Sequence, residues 1–196
     1  MQRTARLLPA RRRLRKPLPA LLFFTDPQRT PDLAATAERL PRGAAIVYRH
    51  FGAADAEAQG RRLLAIARRR GLQLLVGQDT ALARRIGADG VHLPERIAHS
   101  APALKRAHPH WLITSAAHSD QAALASGADA VVLSVALPSS SPSASSGRAM
   151  GPVRLAARVR LAGKPAYALG GVNNKTARRL IDAGLIGLAA VEGLMP

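Results

Sequence analysis

The stretch GADGVHL at positions 87–93 decides the fold, because a near copy, GADAVVL, occurs forty positions later at 127–133. Each copy follows a segment whose apolar residues have helical spacing. The Gly suits the end of a helix, the Asp favours a turn, and the apolar residues suit a short buried strand. A weaker third copy, AGLIGL, occupies positions 183–188. The repeat predicts a chain built from units of helix, turn and strand.

Apolar runs with the length of buried strands recur along the whole chain. There are eight of them: Leu21–Phe24, Ala45–Tyr48, Gln73–Val76, Gly90–Leu93, Leu112–Ser115, Ala130–Leu133, Ala166–Leu169 and Gly187–Val191. Helical patterns separate them at Asp55–Arg70, Thr80–Ile86, Gln121–Ser126, Val153–Leu161 and Lys175–Ala183. Strands that alternate with helices pair in parallel through right-handed crossovers. We therefore predict an α/β fold, a single (β/α)8 TIM-type barrel, with an open doubly wound sheet as the alternative.

The composition limits the classes of function. Cysteine is absent, so disulfides, thiolate zinc sites, iron–sulfur clusters and a cysteine nucleophile are excluded, and a reducing cytoplasm is the simplest compartment. Aromatic residues make up only 3% of the chain, which argues against a platform for stacking nucleic-acid bases. No apolar run reaches the roughly 18 residues that a transmembrane helix needs, so we expect no membrane partner.

The net charge of +17 raises the question of an anionic partner. Seven basic residues precede the first strand: Arg3, Arg6, Arg11, Arg12, Arg13, Arg15 and Lys16. They suit either a polybasic arm for RNA or anionic lipid, or a solvated tail with no partner. We expect the second, with a basic, disordered tail over residues 1–19, a barrel over residues 20–196 and no nucleic-acid partner.

A strand that ends in two glycines is the sharpest motif. YALGGVN at 167–173 runs from the seventh strand into a helical segment, and Val191 closes the eighth strand. Glycines let backbone N–H groups approach an anion closely, and the next helix adds its positive end. The loops after strands seven and eight of such barrels frequently hold phosphate. Gly170, Gly171 and Val191 are therefore predicted to bind phosphate, and a tight turn without a ligand is the alternative.

These motifs occur in the order found in one known family. They are Leu21–Phe24 with Thr25-Asp26, GADGVHL at 87–93, Ser115 with His118-Ser119, Gly127-Ala128-Asp129, Ala168-Leu169-Gly170-Gly171-Val172 and Gly187–Val191. Over about residues 20–195 the chain resembles the thiamine phosphate synthases and the related TenI-like thiazole tautomerases. The resemblance implies an enzyme of thiamine biosynthesis that joins hydroxymethylpyrimidine pyrophosphate to thiazole phosphate, with assistance from Mg²⁺. Phosphorylated pyrimidine and thiazole molecules are thus the implied partners.

The sequence departs from the family where the family binds pyrophosphate and metal. Gln, Arg and Lys after the second strand become Val47, Arg49 and Phe51, so the Arg remains. The Asn-Asp pair after the third strand becomes Gly77-Gln78, and the metal-binding Asp after the fourth strand becomes Ile97. A phosphate-binding Ser after the eighth strand becomes Glu192. These losses leave open a second hypothesis, a non-catalytic barrel that binds a phosphorylated ligand.

Two acids near the lost positions supply a substitute metal site. Asp79 follows the third strand and Glu95 follows the fourth, and carboxylate oxygens are the ligands that Mg²⁺ prefers. Solvated acids are the alternative interpretation. Arg49 lies just past the second strand, where its guanidinium is predicted to clamp phosphate; an outward, salt-bridged Arg is the alternative.

The resemblance also points to acid–base chemistry after the fifth strand. There the chain has Ser115 and His118, both of which we predict to be catalytic, and in the tautomerases a His in this neighbourhood moves a proton on the thiazole. Imidazole both gives and takes a proton near neutral pH, which keeps an isomerase of this type as an alternative function. A His that caps the next helix is the other interpretation. His92, inside a strand, is expected to be buried and structural.

One segment has no periodicity. Pro138–Gly147 is rich in Ser and Pro and follows the sixth strand. On the face where such barrels build their sites, it is predicted to be either a lid over the site or an ordinary disordered loop.

Overall fold

The structure is a computed structural model that describes residues 1–8, 18–139 and 149–191. Its strands are β1 Leu21–Phe24, β2 Ala45–Tyr48, β3 Gln73–Gly77, β4 Gly90–Leu93, β5 Leu112–Ala117, β6 Ala130–Leu133, β7 Ala166–Ala168 and β8 Gly187–Ala190. Its α-helices are α1 Gln2–Arg6, α2 Leu33–Arg39, α3 Ala56–Arg70, α4 Thr80–Ile86, α5 Ala101–Ala107, α6 Asp120–Ala125 and α7 Gly151–Ala162. Two 3₁₀ helices span Glu95–Ser100 and Ala177–Ala183.

The eight strands form a closed barrel in sequence order, and every neighbouring pair is parallel. The predicted (β/α)8 barrel is confirmed, and the alternative of an open sheet is wrong because β1 pairs with β8, as in Leu22 opposite Ala189. Strand positions agree with the apolar runs to within two residues. Four helical segments were missed, namely α1, α2, α5 and Glu95–Ser100, since their short patterns are dominated by Ala and polar residues.

Alternate residues of the strands serve two separate cores. In β1, Leu22 and Phe24 pack with the residues inside the barrel, whereas Leu21 and Phe23 pack outward against the helices. This is the period of two that a strand covered on both faces requires. Side chains at the carboxyl ends of the strands that point inward therefore form the floor of any site at that end.

The internal repeat has a physical basis in its Asp. In the first copy, Asp89 Oδ2 accepts a hydrogen bond from Leu74 N at 2.7 Å, and in the second, Asp129 Oδ2 accepts one from Ile113 N at 2.9 Å. Both acceptors tie the turn before one strand to the start of its neighbour. Gly87 ends α4 with φ of 72°, a conformation that favours glycine. The repeated motif thus fixes the amino ends of the strands.

Part of the amino-terminal segment is ordered, contrary to the prediction of a disordered tail. Residues 2–6 form α1, which packs against β8 and the 3₁₀ helix Ala177–Ala183, and Ala5 and Leu8 are fully buried. The Met1 amino group donates to Asn174 Oδ1 at 2.6 Å. Burial of these apolar side chains explains the order, and residues 9–17 lie outside the described part of the chain. Among the described residues, no helix combines the length and apolar character that crossing a bilayer requires.

Candidate functional site

A cavity of about 1040 Å³ opens at the carboxyl ends of the strands. Barrels of this kind build their sites at that end. The residues around it come from the carboxyl ends of the strands and from the loops that follow them, and they include Arg49, His50, Phe51, Asp79, His92, His118, Ser134, Gly170, Gly171 and Val191. Six of the predicted site residues are therefore brought together around one space.

Arg49 is fixed in the wall of the cavity by the end of β1. Its Nε donates to the Thr25 carbonyl oxygen at 2.8 Å, and its backbone N–H donates to Thr25 Oγ1 at 2.8 Å. The guanidinium carbon lies 5.7 Å from the centre of the Phe24 ring and 5.1 Å from that of Phe51. Two aromatic contacts and one hydrogen bond hold the cation in a single orientation.

The charge of Arg49 is only partly compensated. One terminal nitrogen lies 3.6 Å from Asp26 Oδ2, which is beyond hydrogen-bonding distance, and within the described residues this nitrogen is buried and makes no hydrogen bond. Burial lowers the pKa of Arg49, Asp26 opposes this shift and Arg29 adds to it. A buried donor without an acceptor costs free energy until an acceptor arrives. The site is therefore suited to an oxyanion.

His118 lies on the other side of the cavity, just past β5. Its Nδ1 is 3.0 Å from Ser134 Oγ, its backbone N–H donates to Glu95 Oε2 at 2.6 Å, and its carbonyl oxygen accepts from Arg158 at 3.0 Å. The side chain is exposed. The alternative that His118 caps α6 is wrong, since Ser119 Oγ makes the capping bond to Ala122 N.

The glycine loop presents backbone rather than side chains. Gly170 and Gly171 have φ of 94° and 67°, and in the described chain the N–H groups of Gly170, Gly171 and Val172 make no hydrogen bond. Asn173 Oδ1 accepts from the N–H groups of Lys175 and Thr176, which folds the loop back on itself. Three unused donors beside the cavity form the kind of nest that holds an anion.

Packing gives the two glycines a second reason to be present. A Cβ on Gly171 would lie 2.5 Å from the Leu137 carbonyl oxygen and against that of Pro138, and a Cβ on Gly170 would lie 2.8 Å from Val135 Cγ1. Both contacts come from the loop after β6. Close packing against the loop after β6 therefore requires small residues here.

His92 forms part of the floor of the cavity. The side chain is buried, its Nδ1 lies 2.9 Å from Thr114 Oγ1, and its ring meets Phe24 edge to face at 4.9 Å. Burial lowers the pKa of His92 to about 3, with smaller contributions from the charges of Arg49 and His118. A ring that stays neutral in the folded protein agrees with the structural role expected for it.

The comparisons with known proteins show the family of the chain and agree with the barrel fold. The family model for thiamine monophosphate synthase matches residues 21–194. The chain belongs to this family. It is 35% identical to the thiamine-phosphate synthase of Thiobacillus denitrificans, with 84% of this chain and 82% of the relative covered, and 36% identical to that of Thioalkalivibrio sulfidiphilus, with 83% and 80% covered. The thiamine phosphate pyrophosphorylase structure from Pyrococcus furiosus superposes with a TM-score of 0.71 at 26% identity, covering 88% of this chain and 84% of that one.

Two of the predicted site residues of this thiamine monophosphate synthase homologue do not form the predicted metal site. Asp79 Oδ1 accepts from Leu82 N at 2.8 Å as the cap of α4, and its Oδ2 lies 3.4 Å from His50 Nε2. Glu95 is not among the residues that line the cavity, and its carboxylate is bonded to the His118 backbone. Within the described ranges, no three or more His, Cys, Asp or Glu residues cluster as metal ligands. The residues present do not fit a protein-bound Mg²⁺.

The prediction for Ser115 is also wrong. The residue is fully buried, and its Oγ lies 2.7 Å from Ser126 Oγ, outside the barrel wall. Alternation along β5 explains the error, because Thr114 and Ala116 face inward and Ser115 between them faces the helices. In this family member Ala116, within β5, lines the cavity in place of Ser115.

Sequence reasoning missed His50 and Ser134. His50 Nδ1 accepts from Gly52 N at 3.1 Å, while its Nε2 faces Asp79, so both ring nitrogens are used. Ser134 directly follows β6, and His50 follows Arg49 at the end of β2. The rule that polar residues just past a strand face the cavity, which found Arg49, would have found both. Glu192 and residues 140–147 of the Ser-rich loop lie outside the described residues, whereas Pro138 and Ser139 line the cavity.

Proposed function

We propose that this thiamine monophosphate synthase homologue is a transferase that joins hydroxymethylpyrimidine pyrophosphate to thiazole phosphate, releasing thiamine phosphate and pyrophosphate. The observation that carries the proposal is the buried Arg49 nitrogen with no hydrogen-bond acceptor at the wall of the cavity. Family membership supports the substrates, and the curated relatives are thiamine-phosphate synthases.

In the proposed reaction the ring nitrogen of the thiazole uses its lone pair to form a bond to the methylene carbon of the pyrimidine. The bond from that carbon to the pyrophosphate oxygen breaks, and its electrons stay on pyrophosphate. Negative charge therefore develops on the departing oxygen. Arg49 stabilises this charge because its guanidinium is already fixed by Thr25 and the two aromatic rings, so it pays little reorganisation as the charge grows.

The phosphate of the thiazole is assigned to the glycine loop. The free N–H groups of Gly170, Gly171 and Val172 supply donors there, and Val191 borders the same cavity after β8. Arg49 follows β2 and the glycine loop follows β7, three strands away around the closed barrel. Two anionic groups at separate parts of one cavity suit a reaction that brings two phosphorylated molecules together.

No step of this mechanism runs through a Mg²⁺ ion held by the protein. Family membership implies the ion, but the carboxylates of Asp79 and Glu95 are committed to backbone N–H groups and to His50. The mechanism therefore rests on Arg49 and the backbone donors. Coupling is favoured over isomerisation because the cavity has a fixed cation for a leaving anion, which isomerisation does not need.

The decisive experiment supplies the purified chain with both substrates and Mg²⁺ and follows thiamine phosphate and pyrophosphate together. We expect the two products in equal amounts, and no product when either substrate is omitted. Calorimetric titration with thiazole phosphate alone is the companion measurement. Binding of thiazole phosphate without product would favour a non-catalytic barrel over a transferase. The absence of both binding and product would contradict both functions.

A further inference from the structure

The segment that carries His118 is fixed at three points by three different elements. Glu95, from the 3₁₀ helix after β4, accepts the His118 backbone N–H at 2.6 Å. Arg158, on α7, donates to the His118 carbonyl oxygen at 3.0 Å and is itself held by Asp120 at 2.5 Å. The third contact is the one between His118 Nδ1 and Ser134 Oγ. Two of these contacts fix the backbone of the segment and the third holds the ring, so three separate elements set the position of this exposed side chain.

The strand register explains why Ser134 meets this ring. Ala117 pairs with Leu133 across β5 and β6, so the next residues, His118 and Ser134, stand opposite one another where both strands end. The Ser134 backbone N–H also donates to the Ala117 carbonyl oxygen at 3.4 Å. The contact between hydroxyl and imidazole thus follows from the register of β5 and β6.

The direction of this hydrogen bond decides what His118 offers to the cavity. Within the described part of the chain, His118 Nδ1 lies 3.0 Å from Ser134 Oγ, a contact that either atom can donate, and Nε2 makes no hydrogen bond. A serine hydroxyl that donates to Nδ1 leaves the proton of the neutral ring on Nε2. The opposite direction would place the proton on Nδ1 and leave Nε2 as a base.

We propose that Ser134, Glu95 and Arg158 are positioning residues: Glu95 and Arg158 fix the backbone of His118, and Ser134 holds its ring in the tautomer with the proton on Nε2, so that His118 donates a hydrogen bond to an anionic phosphate oxygen in the cavity. This inference rests on the proposed transferase function, because the oxygen in question belongs to the pyrophosphate group that departs. His118 thereby supplies a second donor, on the side of the cavity away from Arg49. No proton leaves the ring, so the step needs no further acid or base.

The tautomer itself is measurable without any activity. The chain has six histidines, and ¹⁵N-edited NMR of the imidazole rings, with the His118 signals assigned by His118→Gln, separates a protonated nitrogen from an unprotonated one. At a pH where the ring is neutral, we expect the proton on Nε2. Addition of inorganic pyrophosphate should shift the Nε2 signal. A proton on Nδ1, or signals that pyrophosphate leaves unchanged, would overturn the proposal even if coupling is active.

Matched variants separate positioning from mere structure. Ser134→Ala should mix the two tautomers and lower kcat about tenfold with little change in KM for thiazole phosphate, whereas Ser134→Thr keeps the hydroxyl and should restore both. Glu95→Ala should also lower kcat. Glu95→Gln should lower kcat less, because its amide oxygen still accepts the His118 N–H. A tautomer ratio and kcat that are the same in Ser134→Ala and in the native chain would contradict the assignment. If Ser134→Ala alters the tautomer ratio of a chain that shows no coupling activity, the positioning role of Ser134 stands and the proposed transferase function is wrong.

Discussion

Two sides of the cavity are built by opposite means. We call the residues Arg49, His50 and Asp79, after β2 and β3, the arginine side, and Gly170–Val172, after β7, the glycine side. On the arginine side, side chains face the cavity and hold one another, as Thr25 holds Arg49 and Asp79 holds His50. On the glycine side the backbone lines the cavity, and the loop after β6 packs where side chains would be.

This difference predicts which substitutions change ligand binding and which change stability. A side chain on the arginine side ends in the cavity, so its removal mainly changes what the cavity binds. A side chain added on the glycine side meets the carbonyl oxygens of Leu137 and Pro138, so it changes the fold before it reaches a ligand. The two sides therefore give opposite patterns of activity and stability, and each of the following experiments breaks or sharpens that contrast.

The largest effect is expected for Arg49→Ala. If the guanidinium of Arg49 stabilises the departing pyrophosphate as proposed, its loss should lower kcat for coupling about 10²- to 10³-fold, as removal of one preorganised donor does in other enzymes. Arg49→Lys keeps the charge but not the planar fork and should recover only part of the rate. Steady-state kinetics with both substrates measures this.

A basic residue outside the cavity provides the control for this loss. Arg62→Ala, at an exposed position on α3, removes the same charge from the chain and should leave kcat unchanged. Thermal unfolding should differ little among the three variants. Coupling that survives Arg49→Ala would remove Arg49 from the mechanism. An equal loss of kcat in Arg62→Ala would mean that Arg49 contributes only to the net charge.

The next prediction concerns His92, which lies between the two sides, and the dependence of stability on pH. Its pKa is about 3 in the folded protein and 6.5 in the unfolded chain, so the unfolded chain binds more protons between these values. Stability from the neutral ring is complete above the higher value and falls as the pH drops through this window. His92→Gln should therefore lose less stability than the native chain between about pH 7 and about pH 4, by up to about 3 kcal/mol. Urea unfolding at the two pH values tests this. An equal loss of unfolding free energy in both proteins on acidification would contradict it.

The effect of Gly171→Ala is expected to appear in stability and to be similar in size to that of His92→Gln. Both Gly171 and Gly43 have positive φ, of 67° and 80°, but a Cβ on Gly43 meets nothing within 4 Å. Gly43→Ala therefore measures the backbone cost alone, about 1 kcal/mol. Gly171→Ala should lose about 1 to 3 kcal/mol more, because the loop after β6 must move. Chemical denaturation of the pair gives the difference directly, and equal losses would mean that the two loops do not pack as described.

The fold was predictable to a greater depth than the site. Strand positions followed from apolar runs because burial on both faces of a parallel sheet is a local property of the sequence. Arg49, Gly170 and Gly171 were placed correctly at the cavity because the ends of parallel strands share one edge. Ser115 was placed wrongly because the strand extends past it to Ala117, and only the period of two along the full strand shows that it faces outward.

Asp79 shows why the rest of the site was out of reach. The sequence predicts a carboxylate near the mouth of the barrel, yet the same residue directly precedes the first turn of α4, where Asp is a favoured cap. Which of these roles prevails depends on side-chain contacts between loops, as with His50, that no local pattern encodes. The same holds for Glu95, whose partner His118 lies 23 positions further along the chain.

The smallest effect, and the sharpest test of the arginine side, comes from replacing Asp79 in two ways. Asn caps a helix about as well as Asp, so Asp79→Asn should keep the bond to Leu82 N while removing the carboxylate, whereas Asp79→Ala removes both and should cost about 1 kcal/mol of stability. If Asp79 acts only as a cap and as a partner of His50, the Mg²⁺ concentration that half-saturates coupling will be the same in Asp79→Asn as in the native chain. A metal ligand behaves differently, because replacing a charged oxygen by a neutral one weakens Mg²⁺ binding. A Mg²⁺ requirement that rises in Asp79→Asn while stability stays level would therefore restore the metal role that the contacts of this carboxylate argue against.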